Sequence, residues 1–106
     1  MEYKLFTTLY REAHEYSSVD MYIADRGWQD WMNDFEDAGA ALALIYDLAT
    51  NDFATNRKRI TDNRTEFSRL YNIRLRTVEN WELSVTKTPD HVKELVDYTI
   101  YEKEYK

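Results

Sequence analysis

The sequence has no cysteine, and this absence excludes several kinds of site at once. Without a thiol, the chain has no disulfide, no thiolate ligand for zinc and no cysteine nucleophile. Its two histidines, His14 and His91, are far apart and lack the accompanying nucleophile pattern of a hydrolase. Asp30, Asp34 and Asp37 share one helical face, but no calcium-loop glycine or nearby histidine accompanies them. We therefore expect no enzyme activity, no metal and no cofactor.

Glycine and proline are scarce, so few residues suit the tight turns of β-hairpins. Two glycines and one proline interrupt 106 residues, whereas leucine, alanine, glutamate and arginine are plentiful. No run approaches the roughly 20 apolar residues of a membrane-spanning helix, and the N-terminus lacks the pattern of a signal peptide. We expect an all-helical, soluble, cytoplasmic protein that does not contact a membrane.

Apolar residues recur at helical spacing through the first half of the chain. Residues 2–16 form an amphipathic pattern, and residues 38–49 are apolar on almost every face, which predicts a buried central helix. Ser18 is suited to cap a short helix that ends near Gly27. The next segment is predicted to place three side chains on one face: Trp28, Trp31 and Met32. We interpret the two tryptophans as core residues rather than as a binding face.

Charge is distributed unevenly along the chain, whose net charge is -6 at pH 7. Residues 1–50 hold three basic and ten acidic side chains, whereas residues 51–106 hold eleven basic and ten acidic ones. Seven basic residues lie between positions 57 and 76: Arg57, Lys58, Arg59, Arg64, Arg69, Arg74 and Arg76. Such a segment can mark a surface that neutralises nucleic-acid phosphates. We divide the chain into an acidic region, residues 1–50, and a basic region, residues 51–106, and expect one cooperative unit.

The basic region contains signals for two short helices separated by a tight turn. Asn63, with Glu66 three residues later, forms a capping pattern that starts a helix at about Arg64. Asn72 follows that helix, and asparagine tolerates the left-handed backbone that a tight turn requires. Residues 75–82 form a second helical pattern. Two short helices joined by three or four residues predict a helix-turn-helix.

Apolar residues predict which faces of these helices are buried. Phe67 and Leu70 in the first helix, and Val78 and Trp81 in the second, are expected to face the core. A preceding helix is expected to carry Phe53, Arg57 and Ile60. Pro89 is expected at the first position of a closing helix.

The stretch NRTEFSRLYNIRLRTVENWELSVTKTPDHVKELVDYTI resembles the helix-turn-helix domain of the lambda-repressor and Cro family. The similarity is greatest to small domains of Gram-positive bacteria and their mobile elements, and it extends over about residues 52–103. The matching features are EFS in the first helix, RTVENWE in the second and the proline before the closing helix. The resemblance implies an all-α fold with a repressor-like helix-turn-helix in the C-terminal half and an acidic helical N-terminal extension. It also implies a homodimeric transcription regulator.

The resemblance implies which side chains contact double-stranded DNA. In this family the second motif helix, here at about residues 75–83, lies in the major groove. The base-contacting residues would be Leu75, Arg76, Thr77 and Asn80. Arg64 would contact a phosphate. The weaker phosphate candidates are Arg57, Lys58, Arg59, Arg74 and Lys87.

A second hypothesis is a protein-binding module built on the same helix-turn-helix scaffold. Such a module would be a mobile-element inhibitor, for example an anti-defence protein of the anti-CRISPR kind or a DNA mimic. The acidic residues 1–50 would bind a basic protein partner, and Glu79 adds a negative charge to the helix that would face the groove. An exposed second helix beside basic side chains favours the first hypothesis. A second helix covered by the N-terminal half favours the other.

Overall fold

The computed structural model describes residues 1–105, which contain seven α-helices and no strand. The helices are α1 (Tyr3–Ala13), α2 (Val19–Ala24), α3 (Ala38–Thr50), α4 (Phe53–Ile60), α5 (Arg64–Tyr71), α6 (Leu75–Glu82) and α7 (Asp90–Glu104). A short 3₁₀ helix, Asp30–Asp34, lies between α2 and α3. The prediction of an all-helical chain is confirmed. Among the seven helices, none has the length and apolar character needed to span a bilayer.

Side-chain caps define several of the helix starts. The Ser18 hydroxyl accepts a hydrogen bond from the Met21 backbone N–H at 3.2 Å, and the side-chain Oδ1 of Asn63 accepts one from the Glu66 backbone N–H at 3.1 Å. Both predicted N-caps are therefore confirmed, but the reciprocal half of the capping box is not, because the Asn63 N–H donates to the Thr61 hydroxyl at 3.1 Å. The prediction that Pro89 is the first residue of the closing helix is wrong by one position. Helix α7 begins at Asp90, and Pro89 precedes it as the N-cap residue with an extended backbone.

Helix α3 lies at the centre of the core, as its apolar sequence predicts. Helices α1 and α2 pack against it from the N-terminal half, and α7 packs against α1, α3 and α4. The buried side chains of α3 are Ala41, Leu42, Ile45, Leu48 and Ala49. Residues from both halves of the chain therefore contribute to the core around α3.

A polar network lies inside this core. The Asp97 carboxylate, 1% exposed, accepts hydrogen bonds from the Tyr10 hydroxyl at 2.7 Å and the Asn56 amide at 2.9 Å. Lys93 Nζ donates to the same carboxylate at 2.8 Å and to the Leu48 carbonyl at 2.9 Å. These five residues belong to α1, α3, α4 and α7, so the network connects the acidic and basic regions.

Two predictions of burial are wrong. Leu70 is 62% exposed, because α5 packs through Phe67 and Tyr71, which lie one turn apart, and Leu70 falls outside that stripe. Trp28 is 70% exposed, because it precedes the 3₁₀ helix and does not share a helical face with Trp31.

Candidate nucleic-acid interface

The turn between α5 and α6 is built around Asn72. This residue has a left-handed backbone, with φ 53° and ψ 45°, as the sequence predicts. The Ile73 backbone N–H donates to the Ser68 carbonyl at 3.0 Å, and the Ser68 hydroxyl donates to the Ile73 carbonyl. Helix α6 begins at Leu75, so three residues separate it from the end of α5.

Replacing Asn72 tests this turn directly. We expect Asn72→Ala to lower the free energy of unfolding by about 1 kcal/mol, because a Cβ without a side-chain amide disfavours the left-handed backbone. Asn72→Gly should stay within about 0.5 kcal/mol of the parent, since glycine adopts this conformation without a steric cost. Urea denaturation followed by circular dichroism measures both values. An alanine variant as stable as the parent would contradict the backbone geometry.

Helix α6 has one buried face and one face toward solvent. Val78 is fully buried, and the Trp81 ring packs edge-on against Phe53 with 5.4 Å between ring centroids. Arg76 is exposed and Asn80 is partly exposed. These two side chains lie one helical turn apart, on the side of α6 away from Val78.

The remaining residues predicted to contact bases flank that exposed face. Leu75 and Thr77 are both partly exposed at the start of α6. Glu79 is also partly exposed, and it lies one position before Asn80. The solvent-facing side of α6 therefore carries five side chains that could meet a base pair: Leu75, Arg76, Thr77, Glu79 and Asn80.

A buried ion pair holds α4 against α6. Arg57 donates to both carboxylate oxygens of Glu82, through Nε at 2.8 Å and Nη2 at 2.9 Å. Its remaining Nη1 donates to the Thr61 carbonyl at 2.8 Å. The exposed fraction of the side chain is 2% for Arg57 and 3% for Glu82. We leave Arg57 out of the proposed interface, because its guanidinium is enclosed and already bonded to protein oxygens.

Glu82 also bonds to the first residue of α5. Arg64 Nε donates to Glu82 Oε1 at 2.9 Å, while 41% of the Arg64 side chain remains exposed. Burial raises the pKa of Glu82, but hydrogen bonds and charges from Arg57 and Arg64 outweigh it and hold the pKa below its ordinary value. The sequence does not reveal this role of Glu82, because nothing in the α6 pattern distinguishes a buried carboxylate from a solvated one.

The other predicted phosphate contacts differ in how far they are already paired. Arg59 donates to Glu104 at 2.8 Å and 3.0 Å and also pairs with Asp47, and Lys87 lies 3.4 Å from Asp90. Lys58, Arg74 and Arg76 are exposed and form no ion pair within residues 1–105. Arg69, which is not among the predicted phosphate contacts, is also exposed and forms no ion pair within residues 1–105. The cations free to meet a phosphate are thus only part of the predicted set.

The two histidines, which are distant in sequence, line one cavity of about 810 Å³ between α1 and α7. His14 Nε2 lies 3.0 Å from the Ala49 carbonyl, and Arg11 and Glu94 form an ion pair at the same cavity. Within residues 1–105, no three side chains of the metal-binding types are grouped to hold an ion. Among the described residues that line this cavity, none is a serine, threonine or cysteine.

Comparisons of this chain with protein-family models, with curated proteins and with solved structures find no match.

Proposed function

We propose that this protein is a sequence-specific DNA-binding regulator in which α5 and α6 act as a helix-turn-helix. One observation carries the proposal: after the left-handed turn at Asn72, α6 buries Val78 and turns Arg76 and Asn80 toward solvent. A helix used for base recognition needs this division between a packed face and a free face.

The side chains on the free face of α6 match the edges of base pairs. Arg76 is able to donate two hydrogen bonds to guanine, and the Asn80 amide is able to pair with the edge of adenine. Leu75 or Thr77 would contact the methyl group of thymine. The Glu79 carboxylate would accept from cytosine, and it would repel a nearby phosphate.

Cations beside α6 supply the attraction to the DNA backbone. Arg74 immediately precedes α6, Lys58 lies on α4 and Arg69 lies on α5. Arg64 lies at the N-terminus of α5, where the helix dipole adds to its positive charge. Since the whole chain has a net charge of -6, this local group of cations, rather than the overall charge, would attract phosphates.

The exposure of α6 favours this function over the alternative in which the N-terminal half covers the motif. Helix α6 makes its main contacts with α4 and α5, both from the basic region. Arg76 is exposed in the monomer, so a duplex would reach it without displacing α1, α2 or α3. Homodimer formation on a two-fold symmetric site is part of the same proposal.

DNA binding is tested by titrating the protein with duplexes at several salt concentrations. The duplexes come from a pool with a randomised centre, enriched on the parent protein, and from the region upstream of the protein's own gene. We expect Arg76→Ala to cost about 1 to 3 kcal/mol and to relax the preference at one base position. We expect Arg74→Ala to weaken binding to all sequences and to reduce the salt slope by about one.

Lys103→Ala is the matched control, because Lys103 is an exposed cation of α7 outside residues 57–76. This variant should bind each duplex as the parent does. The proposal fails if the pool yields no enriched sequence, or if Arg76→Ala and Arg74→Ala bind as well as Lys103→Ala.

A further inference from the structure

An open cavity of about 1140 Å³ lies where the N-terminus, the 3₁₀ helix and the end of α7 meet. Its apolar side includes three aromatic rings, those of Trp31, Phe35 and Tyr105. The ring centroids of Trp31 and Phe35 are 5.3 Å apart, and those of Phe35 and Tyr105 are 5.8 Å apart. The Tyr105 hydroxyl donates to the Asp37 carbonyl at 2.8 Å. These contacts hold the aromatic wall in place before any partner arrives.

Four carboxylates line the same cavity: Glu2, Asp34, Glu36 and Asp37. None of them forms an ion pair with a cation in the part of the chain that the structure describes. No lysine, arginine or histidine lies among the described residues that line the cavity. The ammonium at the N-terminus of Met1, which also lines the cavity, is already paired with Glu102 at 3.1 Å. Among the described residues, the four carboxylates of the cavity therefore have no cation paired with them, and they lie beside an aromatic surface.

We infer that this cavity binds a lysine- and arginine-rich segment of a protein partner. A guanidinium or ammonium group is attracted both by a carboxylate and by the face of an aromatic ring. The methylene groups of the same side chain would cover the apolar wall while its charged end reaches Asp34 or Glu36. The carboxylates and aromatic rings of the lining would thus attract basic side chains, and the carboxylates would repel a nucleic-acid backbone.

The dimensions of the cavity favour a peptide segment over a single small cation. A volume of about 1140 Å³ exceeds the range of about 300–1,000 Å³ that holds a drug-sized molecule. The cavity is open to solvent, so an extended segment would enter without a movement of the helices. This inference does not depend on DNA binding, because none of the lining residues belongs to α4, α5 or α6.

The test uses a synthetic peptide in which lysine and arginine alternate with leucine, and a second peptide with glutamine at each cationic position. Isothermal titration calorimetry gives the affinity, and the Trp31 indole N–H resonance, assigned with Trp31→Phe, reports the place of binding. The basic peptide should shift this resonance, and the glutamine peptide should not. We expect the double variant Asp34→Asn and Glu36→Gln to bind the basic peptide about three- to tenfold more weakly. Asp37 is left unchanged because its side chain caps α3.

A matched double variant, Glu15→Gln and Asp20→Asn, removes the same charge at exposed positions that do not line the cavity. It should bind the basic peptide within about twofold of the parent if the local carboxylates matter. Arg76→Ala should also bind the peptide as the parent does. If the two double variants lost the same affinity for the basic peptide, overall charge alone would explain the binding, and the inference would be overturned. So would binding that leaves the Trp31 resonance unmoved, or equal affinity for the glutamine peptide.

Discussion

Replacing Glu82 with glutamine is expected to lower the free energy of unfolding by about 3 to 5 kcal/mol. The exposed fraction of the Arg57 side chain is only 2%, and Glu82 is the only carboxylate among residues 1–105 that pairs with it. Glutamine keeps the size of the side chain and removes its charge. The variant thus leaves a buried guanidinium without a counter-ion, which costs far more than the loss of a surface ion pair. Urea denaturation of parent and variant at neutral pH measures the difference.

Glu79→Gln is the matched control, since Glu79 lies on the same helix, is partly exposed and has no ion pair in the described residues. It should stay within about 0.5 kcal/mol of the parent. The pKa of Glu82 is lower in the folded protein than in the unfolded chain. Ionised Glu82 therefore contributes its full share to the free energy of unfolding above the unfolded-state pKa of about 4.3, and this share is lost as pH falls through the folded-state pKa. The difference in the free energy of unfolding between the parent and Glu82→Gln should therefore become smaller at acid pH. A difference below about 1 kcal/mol at pH 7 would contradict the buried pairing.

Replacing Asp97 with alanine is expected to be similarly severe, at about 3 to 5 kcal/mol. The change removes the acceptor for the Tyr10 hydroxyl, the Asn56 amide and the Lys93 ammonium, all within 2.9 Å of its carboxylate. Each of these groups stays partly buried and loses a hydrogen-bond acceptor, although Lys93 still donates to the Leu48 carbonyl. Thermal and urea unfolding, followed by circular dichroism and by tryptophan fluorescence, measure the loss.

The same variant tests whether the acidic and basic regions unfold together, which stays a prediction. Tyr10 belongs to α1 and Asn56 to α4, so loss of Asp97 removes contacts in both regions. We expect one transition, shifted equally for both probes. Lys103→Gln, at an exposed position of α7, should leave the midpoint unchanged. Two separate transitions in the parent protein, or a loss below about 1 kcal/mol in Asp97→Ala, would show that the network does not join the regions.

The local features of the candidate site were predictable because their causes lie within a few residues. Asn63 caps α5 through the backbone of Glu66, three residues away, and Asn72 adopts the left-handed conformation because of its own side-chain chemistry. The apolar residues 38–49 likewise indicated a central helix, because a helix that is apolar on almost every face is buried. In each case a short stretch of chain contains both partners of the interaction.

The partners of charged side chains were not predictable in this way. Arg57 and Arg76 look alike in the sequence, yet one is enclosed beside Glu82 and the other is exposed on α6. The acidic cavity also joins residues from opposite ends of the chain, among them Glu2, Phe35 and Tyr105. No spacing rule connects positions so far apart.

The sequence by itself determined where most helices begin and end and where the chain turns, because caps, helical periodicity and left-handed backbone are local properties. Only the tertiary structure decided which carboxylates are buried, which cations are free for a partner and which aromatic rings form the wall of a cavity. Those outcomes depend on packing between distant helices, where desolvation and long-range pairing set the energy of each charged group.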